Sequence, residues 1–148
     1  DGQPLACFQP FIDTATGRIA GVEALGRLRQ GNGQLASVGP LFADPRTPSS
    51  ALRRLDRLVR DDALRRLHEA PADWFLSLNI SPRWISRLRP GQPLPSLKQL
   101  QQNEVDPRRI VVVFGGGGPM HGAELGRELG VKKVVVPRGA SVFSGAGR

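Results

Sequence analysis

Five consecutive apolar residues, Ile110-Val111-Val112-Val113-Phe114, constrain this chain more than any other stretch. Four of the five are β-branched, and such side chains are stiff at χ1 and suit a pleated strand. The run has no polar alternation, so it predicts a strand buried on both faces, as in a parallel sheet covered on each side. Parallel neighbours must be joined by crossovers of a dozen or more residues, usually helical. The rest of the sequence supplies both the neighbours and the crossovers.

Leu5 to Ile12 reads as a strand, and Asp13-Thr14-Ala15-Thr16-Gly17 as a turn in which Gly17 can take a positive φ. Arg18 to Leu28 then returns antiparallel as the second strand of a hairpin. Gln30 to Thr47 is a loop rich in Gly and Pro, with a helical turn near Leu41-Phe42. A helix is predicted from about Ala51 to Glu69, capped by Ser49 or Ser50. Leu52, Leu55, Val59, Ala63 and Leu67 fall on one stripe of it, and arginines take the other faces. Trp74 to Ile80 is the third strand, and Pro82 opens a short helix. Pro90 to Pro95 is a loop, Leu97 to Gln102 a further helix, and Ile110 to Phe114 the fourth strand. Beyond Gly115 to Gly118 come a helix from Pro119 to Gly130, a fifth strand from Val131 to Pro137 and a Gly/Ser-rich tail. The order β-β-α-β-α-β-α-β predicts an α/β fold with a mostly parallel sheet.

Charge narrows the partners. The formal net charge is +8, but the arginines are spread between Arg27 and Arg109 with Asp56, Asp61, Asp62 and Glu69 interleaved. They read as solvated helix faces, and no aromatic residues alternate with them as a base-stacking surface needs. No specific nucleic acid is expected. Cys7 is the single cysteine, which excludes an internal disulfide and reads as a small buried strand residue. No stretch has the length of a membrane span and no signal peptide is visible, so no membrane partner is expected and the cytoplasm is the expected compartment. His68 reads as a cation favoured at a helix C-terminus. His121 reads as a surface residue, and Trp74 and Trp84 as packing around the third strand.

Glu23 and Asn79 are polar residues near the ends of otherwise apolar strands. A carboxylate and an amide carbonyl are hard oxygen ligands suited to Mg or Mn; a strand glutamate equally reads as a rim residue. Gly115, Gly116, Gly117 and Gly118, between a strand and a helix N-terminus, could cradle a phosphate. They could equally be a flexible connection, because Met120 and His121 stand where G-x-G-x-x-G needs its last glycine and no Lys-Ser/Thr follows.

Four segments, Phe8-Gln9-Pro10, Glu23-Ala24-Leu25-Gly26-Arg27, Leu78-Asn79-Ile80-Ser81-Pro82 and Asp106-Pro107-Arg108-Arg109-Ile110-Val111-Val112, occur in an order and context that resemble the opening half of an EAL domain. That family hydrolyses cyclic di-GMP. The resemblance covers residues 5–113 and implies an incomplete TIM-like barrel whose site lies at the C-terminal strand ends. By resemblance, Glu23 and Asn79 are metal ligands for Mg or Mn, and Arg27 grips a phosphate of cyclic di-GMP with its guanidinium fork. Leu25 lines the ligand groove and Gln9 lies near the dinucleotide. The family's two metals drive attack of water on the phosphodiester to give linear pGpG.

The departures weigh against that reaction. The family's fourth-strand glutamate falls on Val113, and residues 131–136 contain no acid to stand for its aspartate pair. Lys132 and Lys133 lack the context to replace its lysine. A whole eight-stranded barrel takes roughly 250 residues, against 148 here. The expectation is a truncated or degenerate domain that at most binds cyclic di-GMP; the alternatives are an active phosphodiesterase completed by a homodimer or another chain, and a non-functional chimeric fragment or weak nucleotide-binding module at the Gly115–Gly118 loop.

From Phe114 the text resembles a different family, the hydantoinase A and oxoprolinase enzymes. The marks are Phe114-Gly115-Gly116-Gly117-Gly118-Pro119-Met120-His121, Ala123-Glu124-Leu125, Glu128-Leu129-Gly130, Val134-Val135-Val136-Pro137 and Val142-Phe143-Ser144. In that family the glycine loop belongs to an ATP-binding, actin-like fold. The expected division is therefore 1–113, EAL-like, and 114–148, hydantoinase-like. Domains normally meet in exposed linkers, so a joint inside a buried strand suggests a gene fusion, an error of sequence assembly or a deliberate joining of two sequences.

Overall fold

The structure, a computed structural model, describes residues 2–80, 95–114 and 133–135. The chain opens with β1 (Gln3–Ile12) and β2 (Ile19–Arg29), then a short β3 (Leu35–Ser37), α1 (Gly39–Ala43) and α2 (Ser49–Leu67). After these come β4 (Phe75–Ile80), α3 (Pro95–Gln102), a single 3-10 turn at Pro107–Arg109, β5 (Ile110–Phe114) and β6 (Lys133–Val135). The sheet order is β1-β2-β4-β5-β6, with β3 on β2. β1 and β2 form the expected hairpin, and β2, β4, β5 and β6 run parallel. This is the predicted α/β architecture, part of a barrel with the sheet left open among the described residues. β6, which lies in the hydantoinase-like stretch, belongs to the same sheet through its pairing with β5.

Several expectations shift. β3 and α1 occupy what reads as loop, because Leu35, Ala36 and Ser37 pair with Arg29, Leu28 and Arg27. Three residues carry no readable period, although their partner is the end of the preceding strand across a short turn. Gly33, at φ 82°, turns the chain back, as Gly17 does at φ 71° in the first hairpin. Neither Ser49 nor Ser50 caps α2. The N-cap is Pro48, with no side-chain hydrogen bond, and its carbonyl accepts from the Leu52 N–H. Proline's fixed φ already holds the extended conformation that a cap position needs. The readings for Pro82, Trp84, the Gly115–Gly118 loop, the helix from Pro119, His121 and the tail lie outside the described residues.

Strand parity sorts the sheet into two faces. Ala6, Ala24, Leu76, Leu78, Ile80, Ile110 and Val112 face α2 and α3, where they meet Ala63, Leu64, Leu67, Leu100 and Val105. Each fully buried Leu or Val here stabilises the fold by about 1.5–3 kcal/mol. Ile110, Val111 and Val112 are all buried, as the unbroken apolar run required. Close approach sets the first contact of β2 with β4: a Cβ at Gly21 would fall 2.5 Å from the Phe75 carbonyl oxygen. Cys7 is half-buried rather than part of this core.

The arginines are not all solvated. Arg60 is buried, with Nη1 2.8 Å from Asp56 Oδ2 and Nε donating to Gln99 Oε1 on α3. Gln99 in turn donates to the Arg57 carbonyl. His68 does more than meet the helix dipole: its Nε2 lies 2.6 Å from the Asn103 carbonyl oxygen and ties the ends of α2 and α3 together. Exposed contacts with Arg46 and Arg108 hold Asp44 and Asp106 below the usual carboxylate range. The small stability they add is present above the ordinary aspartate pKa and fades as pH falls through the lowered values. Among the described residues no helix is long and apolar enough to cross a membrane.

β1 is an edge strand, and its edge is closed. The Ala6 N–H donates to Asp62 Oδ2 at 2.9 Å, and its carbonyl accepts from Arg66 Nη1 at 2.7 Å. Those groups point away from β2, so alternate residues Pro4, Phe8 and Pro10 present their backbone to the same side. Two are prolines without an N–H, and the Arg66 guanidinium lies 4.6 Å from the centre of the Phe8 ring. Prolines and a charged cover are what keep an edge from recruiting another strand. Asp62→Ala leaves the buried-side Ala6 N–H unsatisfied and should lower unfolding free energy by about 1–3 kcal/mol in urea titration. Arg65→Ala, which removes only an exposed partner of Asp62, should change it by under about 0.5 kcal/mol.

Candidate functional site

The other face of the sheet carries the candidate site. Gln9 on β1 stands opposite Glu23 on β2, and Glu23 stands opposite Ser77 on β4. Two residues on, Asn79 pairs with Val113 of β5. Register alone therefore gathers Gln9, Glu23, Ser77, Asn79 and Val113, because a period of two returns each to the face away from α2. Glu23 and Asn79 are 56 residues apart in sequence, and the Asn79 amide Nδ2 donates to Glu23 Oε1 at 3.0 Å. The sequence pairing of these two side chains as one site thus has a geometric counterpart.

Leu25 and Arg27 continue the same face of β2 toward its C-terminal end. Both are half-buried. Arg27 Nη1 donates to the neighbouring Gly26 carbonyl at 2.8 Å, which leaves the other guanidinium N–H groups available to an anion. Gln9 is exposed and reaches the site only as the cross-strand neighbour of Glu23. The Gly115–Gly118 loop lies outside the described residues. A cleft of about 390 Å³ opens at the same end of the strands, between Arg27 and Asn79 on one side and Val38, Phe42, Leu55 and Val59 on the other.

Ser77 escaped the sequence reading. It is 1% exposed, and its Oγ has no hydrogen-bond partner among the described residues. Its signal was a lone hydroxyl in an apolar strand, two residues before Asn79, which periodicity places on the site face.

Comparison with known proteins bears on the family and the fold. The EAL domain family model matches residues 2–119, and the hydantoinase/oxoprolinase family model matches residues 95–148. The two overlap across α3 and β5. An uncharacterized protein of Methanocaldococcus jannaschii is 46% identical over 43 residues, which are 28% of this chain and 6% of that protein. Among solved structures, the YkuI protein of Bacillus subtilis, with an EAL domain in complex with c-di-GMP and calcium, superposes with a TM-score of 0.75 at 23% identity. The match covers 90% of this chain and 34% of that one. The EAL domain of FimX from Pseudomonas aeruginosa, bound to c-di-GMP, gives 0.66 at 19% identity, over 90% of this chain and 55% of that one. An EAL domain protein from Listeria monocytogenes gives 0.62 at 18% identity, over 90% and 53%. The chain thus spans about a third to a half of the length of these structures.

The donor set decides whether metals fit. Among the described residues no group of three His, Cys, Asp or Glu side chains is placed to hold an ion. Glu23 and Asn79 supply one carboxylate and one amide oxygen, while the strand position beside Asn79 is Val113. A Mg or Mn ion takes about six oxygens, so these two residues are one edge of a coordination shell and do not fit a metal pair. Val113→Glu should therefore tighten Mn binding by about tenfold or more, as an added ligand worth ~1.4 kcal/mol would. Titration calorimetry of the two proteins checks this, and equal affinities would mean that position 113 does not face the site.

Proposed function

This chain belongs to the EAL domain family, and from that premise we propose that it is a cyclic di-GMP signalling domain that binds the dinucleotide without hydrolysing it. The observation that carries the reading is the Glu23–Asn79 contact on an open sheet face, with Arg27 and Leu25 above it at the C-terminal end of β2. That is the end at which a barrel of this kind builds its site. Arg27 is the anion-binding residue: its free N–H groups form a planar fork that matches two phosphate oxygens. Leu25 offers an apolar surface for a base, and Gln9 a side-chain amide at the rim. Mg or Mn enters only as a weakly held ion, with water completing its shell. The residues from which chemistry would need further support, a second carboxylate beside Asn79 above all, are replaced by apolar ones such as Val113.

Thermal unfolding tests the reading. A ligand that binds only the native state at 100 times its dissociation constant adds about 2.7 kcal/mol. For a chain of this size that raises the midpoint by about 5–10 °C. Cyclic di-GMP should produce such a shift, Arg27→Ala should remove most of it, and no pGpG should form at high protein concentration with Mg or Mn. An unmoved wild-type midpoint would sink the binding role, and pGpG release would replace it with an active phosphodiesterase. A shift with ATP alone would move the site to Gly115–Gly118.

A further inference from the structure

We infer that Ser77 is a positioning residue for Glu23, and that its hydroxyl takes over the Glu23 carboxylate whenever Asn79 is drawn away. Ser77 is 1% exposed and its Oγ makes no hydrogen bond among the described residues. A hydroxyl buried without a partner is rare in folded proteins and destabilising, so its presence calls for a second state in which it is used.

The neighbours of Ser77 say which state that is. On the site face it is flanked across the sheet by Glu23 on one side and Val111 on the other. Along its own strand the residues two positions away on that face are Phe75 and Asn79. Of these four side chains only Glu23 and Asn79 carry polar atoms, and they are bonded to each other at 3.0 Å. The three polar groups form a triangle with one side made. Neighbouring strands lie about 4.8 Å apart, so a serine hydroxyl directly across from a glutamate reaches it by a change of rotamer.

This inference rests on the proposed reading in one respect: the ligand that draws Asn79 away is a phosphate of the dinucleotide. When Asn79 turns to that ligand, Glu23 loses the single hydrogen bond recorded for it among the described residues. A carboxylate stripped of its donor beside an incoming anion opposes binding. Ser77 Oγ–H donating to Glu23 removes that penalty, with no proton transferred. The hydroxyl is then idle in the free protein and engaged in the bound one.

A double-mutant cycle on the full chain tests this without any ligand. Asn79→Ala mimics the withdrawal of the amide. Ser77→Ala alone should leave the urea midpoint unchanged or raise it slightly, since it deletes an unpartnered hydroxyl. In the Asn79→Ala background the same change should lower the folding constant by about tenfold, the order expected for a hydrogen bond to a charged group. The Glu23 carboxyl carbon resonance should move on Ser77→Ala only in that background. Ser77→Thr, which keeps the hydroxyl, should retain most of the coupling. Equal effects of Ser77→Ala in both backgrounds, or an unmoved Glu23 resonance, would overturn the proposal. With ligand, Ser77→Ala should weaken cyclic di-GMP binding by about tenfold, and unchanged affinity would also count against it. If wild-type chain binds no cyclic di-GMP while the cycle shows coupling, the binding role fails and the Ser77–Glu23 exchange stands.

Discussion

The docking of α2 on the sheet, closest over β1 and β2, is the constraint from which the rest follows. Leu64, Ala63 and Leu67 must be covered, and the strands supply Ala24, Leu76, Leu78, Ile110 and Val112 to cover them. Once those residues face the helix, the period of two sends Glu23, Ser77, Asn79 and Val113 to the opposite face. A slip of one residue in β2 would exchange its two sets and bury the Glu23 carboxylate under α2, at a desolvation cost that the core would not bear. The apolar layer thus sets the register, and the register assembles the polar site.

The second support is electrostatic and holds the margins. Asp62 and Arg66 reach from α2 to both backbone groups of Ala6, so one helix covers the core and closes the β1 edge. Arg60, with Asp56 and Gln99, joins α2 to α3 where the apolar layer ends. Buried charges are tolerated there because each has a hydrogen-bonded partner. Ser77 is the exception, a buried polar atom with none among the described residues, and it lies on the face of the proposed site rather than in the scaffold.

The fold is that of part of an EAL domain, and on the proposed reading its site keeps only part of the family's donor set. β4 presents Asn79, β2 presents Glu23 and Arg27, and β5 presents valine where a further oxygen would complete a metal shell. The overlap of two family models across α3 and β5 coincides with that change. Parallel pairing of β5 with both β4 and β6 shows how such a join is tolerated: a ladder of backbone hydrogen bonds reads extended, buried, β-branched sequence and not its ancestry.

Much of this was legible in the residues. The hairpin, the long helix and the Ile110–Phe114 strand announce themselves by local rules of period, turn chemistry and β-branching, and those rules act within a few residues of one another. Glu23 and Asn79 were legible as a pair through the segments that surround them. β3 was not, because three residues are too few to show a period even though they return on β2 through a short turn; nor was the Pro48 cap, because two serines beside it offered the commoner solution. By itself the sequence determined the alternation of strands and helices, the apolar faces and the absence of a carboxylate at position 113. Only the tertiary structure decided that Arg60 is buried, that Asp62 and Arg66 close the β1 edge, and that Ser77 lies idle beside Glu23. Those outcomes depend on which atoms from distant segments are brought within hydrogen-bonding distance, and no local pattern encodes that distance.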